Sequence, residues 1–211
     1  MVIECLLGVS CLEFWDSFMA DGAEFGFDKF WKDRGELDVT KENWKEPDES
    51  WAEECKENLP GTPIQVRKIK GRVQLKGNPL VKEAPTTKNY FLIEKSDTRL
   101  HIVVRVRTTD VPYCDCFCVQ EEWQVESPSP SSQPVIRSCV VRQSLKIHFY
   151  KSTMMKGMIT KATNKETDEV MKEFVDKLFT KRGIMFVEKK KPKPAMKGPK
   201  IGHQVESSKK M

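Results

Sequence analysis

The sequence has no run of 18 apolar residues, so it contains no segment long enough to cross a bilayer as a helix. The opening "MVIECLLGVSCLEFWDSF" is partly apolar. Glu4 interrupts it, however, and neither a positively charged start nor a small-residue cleavage site accompanies it, which argues against a secretory signal. Histidine is scarce, at three in 211 residues. His101 and His148 fall on the polar side of their strands and read as solvated. No Ser/His/Asp or Cys/His pairing has a recognisable motif around it, so the chain is read as non-enzymatic, with no catalytic residue and no cofactor. The seven cysteines are odd in number and unevenly spaced, which fits reduced thiols in the cytoplasm better than a disulfide framework.

What is present is enough for one domain with a sizeable core, followed by a tail. The net charge of +5 is unevenly placed. Residues 188–211 hold eight Lys and two Glu, a net +6, and the other 187 residues are close to neutral at −1. Residues 1–60 carry six basic and sixteen acidic groups, whereas 61–187 carry 22 and 13. A nucleic-acid binder concentrates its basic charge on the folded body. A near-neutral body therefore argues against a nucleic-acid partner.

The hydrophobic period divides the chain. "VIECLL" reads as a short strand. "SCLEFWDSFMAD" predicts a helix capped by Ser10 and Glu13, with Leu12, Trp15, Phe18 and Met19 inward. "FDKFWKDRG" predicts a second helix that Gly35 stops. Residues 36–63 read as acidic and irregular, anchored by Trp44 and Trp51. From residue 64 the period becomes two. About five strands follow, with Ile69, Gly71, Val73 and Leu75, then Leu100, Ile102, Val104 and Val106, then Phe117, Val119, Trp123 and Val125, then Val141, Leu145, Ile147 and Phe149 on the apolar side. His101, Val103, Arg105 and Arg107 fall on the outward side. "SPSPSSQP" reads as a loop. A helix of roughly 25 residues then runs to Gly183, carrying Met155, Met158, Ile159, Ala162, Val170, Met171, Phe174, Val175 and Leu178, with a bend or break near Glu166 and Thr167. The predicted class is α+β: a curved antiparallel sheet wrapped on a long C-terminal helix, with two short N-terminal helices. The domain is assigned to 1–183, and 184–211 to a disordered Lys-rich tail.

"TTDVPYCDCFC", residues 108–118, places three cysteines at alternate positions. On a strand, Cys114, Cys116 and Cys118 share one side, with neighbours on that side about 6.5–7 Å apart, long for two thiolates on one zinc. They are read as reduced and metal-free. Pro112 belongs at a bulge or strand start, in a corner between strands ending at Arg107 and starting near Asp115.

The same stretch, as "RTTDVPYCDCFCVQEEW", resembles the "TPDVPYGDYF" signature of VASt domains, the StAR-related lipid-transfer-like modules of plant cell-death regulators and of the Aster (GRAM-domain) sterol transporters. "FWDSFMADGAEFGFDKFWKDRGELDVTKENWKE", "VQLKGNPL" and "KIHFYKSTMMKGMITKATNKETDEVMKEFVDKL" are similar to further family elements in the same order, over roughly residues 2–180. The resemblance implies a helix-grip, StART-like fold enclosing a cavity for a sterol or another lipid, and a role in lipid transfer or sensing. Cys114 departs from the family's usual Gly, and "VKEAPTTK" departs from its usual gate-loop run. These 211 residues contain no GRAM domain and no transmembrane segment, so a partner or a longer product is expected to provide the anchor.

Two function classes remain open on the residues alone. One is a lipid binder whose cavity is lined by Val73, Leu75, Ile102, Val104, Phe117, Val119, Glu121, Trp123, Leu145, Ile147, Phe149, Ile159, Met171 and Phe174. In that reading Pro79, Leu80, Val81 and Pro85 gate it from a loop over 77–88, and Lys189, Lys190, Lys191 and Lys193 hold the tail near an anionic membrane or a membrane contact site. The other is a ligand-free interaction module whose same faces pack solid, using the acidic N-terminal third and the basic tail. Glu121, on the apolar side, either meets a sterol hydroxyl or pairs with an Arg of a neighbouring strand. The tail also reads as a nuclear-targeting signal or as a solubilising end. The oligomeric state is not readable from the sequence.

Overall fold

A computed structural model describes residues 2–56, 59–75, 82–128 and 138–182, the side chains of 2, 3, 56 and 178–182 excepted. The order is β1 (Val2–Leu7), α1 (Cys11–Phe14) running into a π-helical turn (Trp15–Met19), α2 (Phe27–Asp33), β2 (Leu37–Lys41), a 3-10 turn (Glu49–Trp51), α3 (Ala52–Lys56), β3 (Gln65–Gln74), β4 (Glu83–Lys95), β5 (Arg99–Thr108), β6 (Phe117–Glu126), β7 (Cys139–Phe149) and α4 (Lys156–Arg182). The strands form one seven-stranded antiparallel sheet in the order β1-β7-β6-β5-β4-β3-β2.

The first two strands in sequence lie at opposite edges of this sheet, β1 on β7 and β2 on β3. The chain between them must therefore cross the sheet, and it does so with α1 and α2 on the concave side. Ser10 starts this crossing with a capping box: Glu13 N donates to Ser10 Oγ at 3.2 Å, and Ser10 N donates to Glu13 Oε2 at 2.8 Å. Ala20 N bonds Trp15 O, widening the last turn to π. This rotation buries Cys11, Phe14, Trp15, Phe18 and Met19 and leaves Leu12 exposed, against the predicted face. Gly35, at φ 88, ends α2 in a Schellman motif, with Glu36 N donating to Trp31 O and Gly35 N to Lys32 O.

Residues 36–63, read as irregular, contain β2, the 3-10 turn and α3. The register of β2 shifts between Leu37 and Thr40, and Asp38 sits at φ 52, so no period-two signal survives there. The sheet thus gains six strands after β1, one more than the period predicts. The turn and α3 cover the outer face. Trp51, Val66, Phe91 and Val103 form a second core there, and Lys68 Nζ lies 4.9 Å from the Trp51 ring centroid. The side taken as solvated is consequently buried. Arg105 is 2% exposed and donates through Nη1 to the Glu54 carbonyl, and buried His101 meets Glu122 Oε1 at 2.8 Å.

Helix α4 is unbroken from Lys156 to Arg182, and Thr167 is buried rather than a break point. It closes onto the concave side through Met171 and Phe174.

Candidate functional site: the concave face of the sheet

Strand register sorts the concave side into rows. Ile69, Lys88, Val106, Val119 and Ile147 form one row, Arg67, Tyr90, Val104, Glu121 and Leu145 the next, and Gln65, Leu92, Ile102, Trp123 and Gln143 the third. Packing against these rows is uneven. Phe27 stands at the centre of an aromatic block: its ring centroid lies 5.1 Å from Phe174, stacked, 5.3 Å from Trp123, and 6.3 Å from Tyr90. Phe18 and Phe30 meet Phe174 at 5.7 and 5.5 Å, and Trp123 meets it at 5.7 Å. The third row is filled by this block, so Ile102, Val104, Trp123, Met171 and Phe174 all belong to one close-packed cluster.

The rows nearer the end of β3, the start of β4 and the β5–β6 corner are packed differently. Val73, Leu75, Val106, Phe117, Val119, Ile147, Phe149 and, on α4, Ile159 are only half-buried. Apolar surface left open between a sheet and a helix costs free energy of about 25 cal/mol per Å². Phe117 and Phe149 pair at 5.9 Å on this rim, with Lys156 Nζ 5.1 Å from the Phe149 ring. Leu145 joins the two zones, buried at their border.

Polar groups lie where the open rows meet the aromatic block. Lys88 is 5% exposed, its ammonium 2.5 Å from Glu36 Oε1 and 3.4 Å from the Trp31 ring centroid. β3 carries Gly71 beside this pair, where a Cβ would stand 3.2 Å from Glu36 Oε2. Desolvation pulls the Lys88 pKa down, and Glu36 opposes that. Glu121 is partly buried in the adjacent row. Desolvation raises its pKa, against hydrogen bonds from Trp123 Nε1, at 3.3 Å, and Gln143 and the charge of Lys88. Among the described residues no arginine pairs with it, and the nearby cation is Lys88 from β4. The buried Gln143 Oε1 finds no donor among the described residues, which leaves an acceptor close to Glu121.

The corner differs from its expected form. Residues 112–116 are a turn, and β6 begins only at Phe117, so Cys114 and Cys116 are not in strand alternation with Cys118. Asp110 and Tyr113 have φ of 59° and 66°, which a flat strand cannot accommodate. Among the described residues no three metal-ligating side chains gather. Pro85, assigned to the gate loop, instead lies inside β4 opposite Arg72, and its carbonyl accepts from Thr109 N at 2.9 Å. Pro79, Leu80, Val81, Lys189, Lys190, Lys191 and Lys193 lie outside the described residues.

Lys88 and Gln143 were not singled out from the sequence. Their one signal is a polar residue standing at an inward strand position, the same oddity that Glu121 shows. On the outer face a pocket of about 320 Å³ is lined by Leu59, Pro60, Gln120, Glu122, Lys146 and His148, a mostly polar wall unlike the concave one. No described helix is long and apolar enough to cross a membrane.

The family model described as the VAD1 Analog of StAR-related lipid transfer domain (VASt) matches residues 1–166. The match takes in the whole sheet, both N-terminal helices and the first half of α4. A comparison with curated proteins finds no match.

Proposed function

Since the chain belongs to the VASt family, whose members are lipid-binding and lipid-transfer modules, we propose that it holds one sterol-like lipid between the open rows of the sheet and the first half of α4. The observation that carries this reading is the unequal packing of the concave face. A close-packed aromatic floor abuts apolar side chains that remain half-exposed although they face inward. An apolar ligand lying along Val106, Val119, Ile147 and Ile159 would cover that surface, and ligand sites of this kind are concave and largely apolar with a few polar groups.

The polar groups at the floor suggest the ligand's orientation. Desolvation raises the Glu121 pKa, so its carboxyl keeps a proton further up the pH scale than an exposed one. Glu121 and Gln143 Oε1 offer acceptors to one lipid hydroxyl, and Glu121 adds a donor in its protonated form. A hydrocarbon without a polar end would leave them unmatched, which favours a lipid with a small polar head over an alkyl chain alone.

The test is native mass spectrometry of the purified full chain, followed by titration with fluorescent sterol and phospholipid analogues. A co-purified lipid of about one per chain and saturable sterol binding are expected. Well-folded protein that binds neither sterols nor phospholipids would remove this reading and leave the ligand-free interaction module, with its acidic N-terminal third as the docking element.

A further inference from the structure

The outer face of the sheet carries a pocket that lipid binding on the concave face does not use. Its volume of about 320 Å³ is in the range of small-molecule sites, and its walls are Leu59, Pro60, Gln120, Glu122, Lys146 and His148. Strand alternation explains the placement. Glu121 and Ile147 face the concave side, so their neighbours Gln120, Glu122, Lys146 and His148 face the other. Leu59 packs on the small outer core of Trp51, Val66, Phe91 and Val103, and with Pro60 it adds an apolar wall from the segment that follows α3.

The polar groups here are tied to the fold on one side and open to the pocket on the other. Glu122 Oε1 accepts from His101 Nε2 at 2.8 Å and from Gln124 Nε2 at 3.0 Å. Both bonds fall on one oxygen, so the other is available to the pocket. Gln120 is 4% exposed, and its Oε1 finds no donor among the described residues. A buried acceptor in that position costs free energy that an incoming donor would recover. Lys146 stands opposite Gln120 in register, is exposed, and meets no carboxylate among the described residues. On the other side of Gln120, Arg105 of β5 is buried and its Nη2 also lacks a partner among the described residues. The nearest acid to that guanidinium, Glu54, is shared with Arg107.

Glu122 and Lys146 are diagonal neighbours across β6 and β7, yet Glu122 pairs with His101 instead. The pocket therefore presents a carboxylate oxygen and an amide oxygen on one side, and an ammonium backed by a guanidinium on the other. A plain anion would meet Glu122, and a plain cation would meet Lys146. A ligand with both charges matches both. Its ammonium reaches Glu122 and Gln120 Oε1, its carboxylate reaches Lys146, and its aliphatic part lies on Leu59 and Pro60.

We propose that this outer pocket is a second binding site, for a small zwitterion with the chemistry of a free amino acid. It is separate from the lipid site, which lies on the opposite face of the sheet.

The experiment uses the full chain. Its thermal unfolding midpoint is measured with each of a panel of free amino acids at millimolar concentration, and calorimetric titration follows for those that raise it. Succinate, with anionic ends only, and putrescine, with ammonium ends only, are the single-charge controls. At least one amino acid is expected to bind saturably at one per chain, with both controls bound at least about tenfold more weakly. Two variants locate the site. Lys146→Glu changes an exposed side chain, and Gln120→Met keeps a buried one of similar length, so both are expected to retain the wild-type near-ultraviolet circular dichroism. Each is expected to lower amino-acid affinity at least about tenfold. Binding of a soluble sterol analogue should be the same in all three proteins. Amino-acid binding that persists where sterol binding is absent would remove the lipid reading alone and leave this site standing. A panel in which nothing raises the midpoint or binds overturns the proposal and leaves the pocket to water. Equal binding of succinate overturns the zwitterion in favour of a plain anion. Wild-type affinity in Lys146→Glu places the amino acid elsewhere and overturns the site.

Discussion

The ammonium of Lys88 lies 3.4 Å from the centroid of the Trp31 ring and 2.5 Å from Glu36 Oε1, which places a cation, a carboxylate and an indole together beneath the sheet. Strand β4 supplies the lysine, α2 the ring, and the residue after Gly35 the carboxylate. The group fixes where the N-terminal crossing seats on the sheet. Removing only the cation strands a buried charge. Lys88→Ala is expected to cost about 3–5 kcal/mol in urea unfolding. Lys88→Met combined with Glu36→Gln is expected to cost far less, because both charges leave together. Equal losses in the single and double variants would show that Lys88 matters for its packing on Trp31 rather than for the pair.

Phe174 meets Phe18, Phe27, Phe30 and Trp123 within 5.7 Å. It joins α4 to the N-terminal helices and, through Trp123, to β6. Phe174→Ala should cost about 3–5 kcal/mol by denaturant unfolding. It should also speed hydrogen exchange along α4 more than in β4 or β5. A uniform increase across the molecule would mean that the helix and sheet open as one unit.

Much of this arrangement is legible in the residues. β1, the capping box at Ser10 and the stop at Gly35 follow from short-range chemistry, and the strands of the meander follow from alternation. What escaped was set by tertiary context. β2 hides because its bulge breaks the period. The outward side of β5 seemed solvated because its cover, Trp51 and α3, comes from an acidic stretch whose large anchors are only Trp44 and Trp51. The inward face of α1 was misjudged at Leu12 because a π turn rotates the helix beyond it. The apolar wall of the site was legible as a face, but its division into a filled and an open half was not. That division depends on where Phe27 and Phe174 meet, two side chains separated by most of the chain.

Ile147→Trp tests the open half directly. Ile147 is half-buried in the row with Val106 and Val119, so an indole has space that the close-packed rows lack. Sterol-analogue affinity is expected to fall at least about tenfold while the unfolding midpoint shifts little, since overpacking penalties of about 1–3 kcal/mol belong to filled cores. Val104→Trp, in the filled part of the face, should instead lower stability. If Ile147→Trp destabilises the protein as much as Val104→Trp does, the row is not open and the proposed ligand position is wrong.

Glu121 gives the pH dependence. Desolvation raises its folded pKa above the ordinary 4.5, and Trp123, Gln143 and Lys88 only partly offset this. A raised carboxyl pKa means that the folded state binds the proton more tightly than the unfolded chain does. The resulting stabilisation is fully present below pH 4.5 and is lost as pH rises through the folded value. Glu121→Gln keeps the shape and removes the titration. Relative to wild type, the variant should therefore gain stability as pH climbs from 4.5 into the neutral range, measured as the difference in urea midpoint at matched salt. Other carboxylates titrate in both proteins, so only the difference carries the signal. Lipid affinity is a separate readout: the amide keeps a donor and an acceptor at the same place, so sterol binding is expected to hold in Glu121→Gln and to weaken in Glu121→Leu, which offers neither. A flat stability difference across that range would show that Glu121 titrates normally and faces water. It would then be unsuited to hold a lipid hydroxyl, and Gln143 would remain as the polar end of the site.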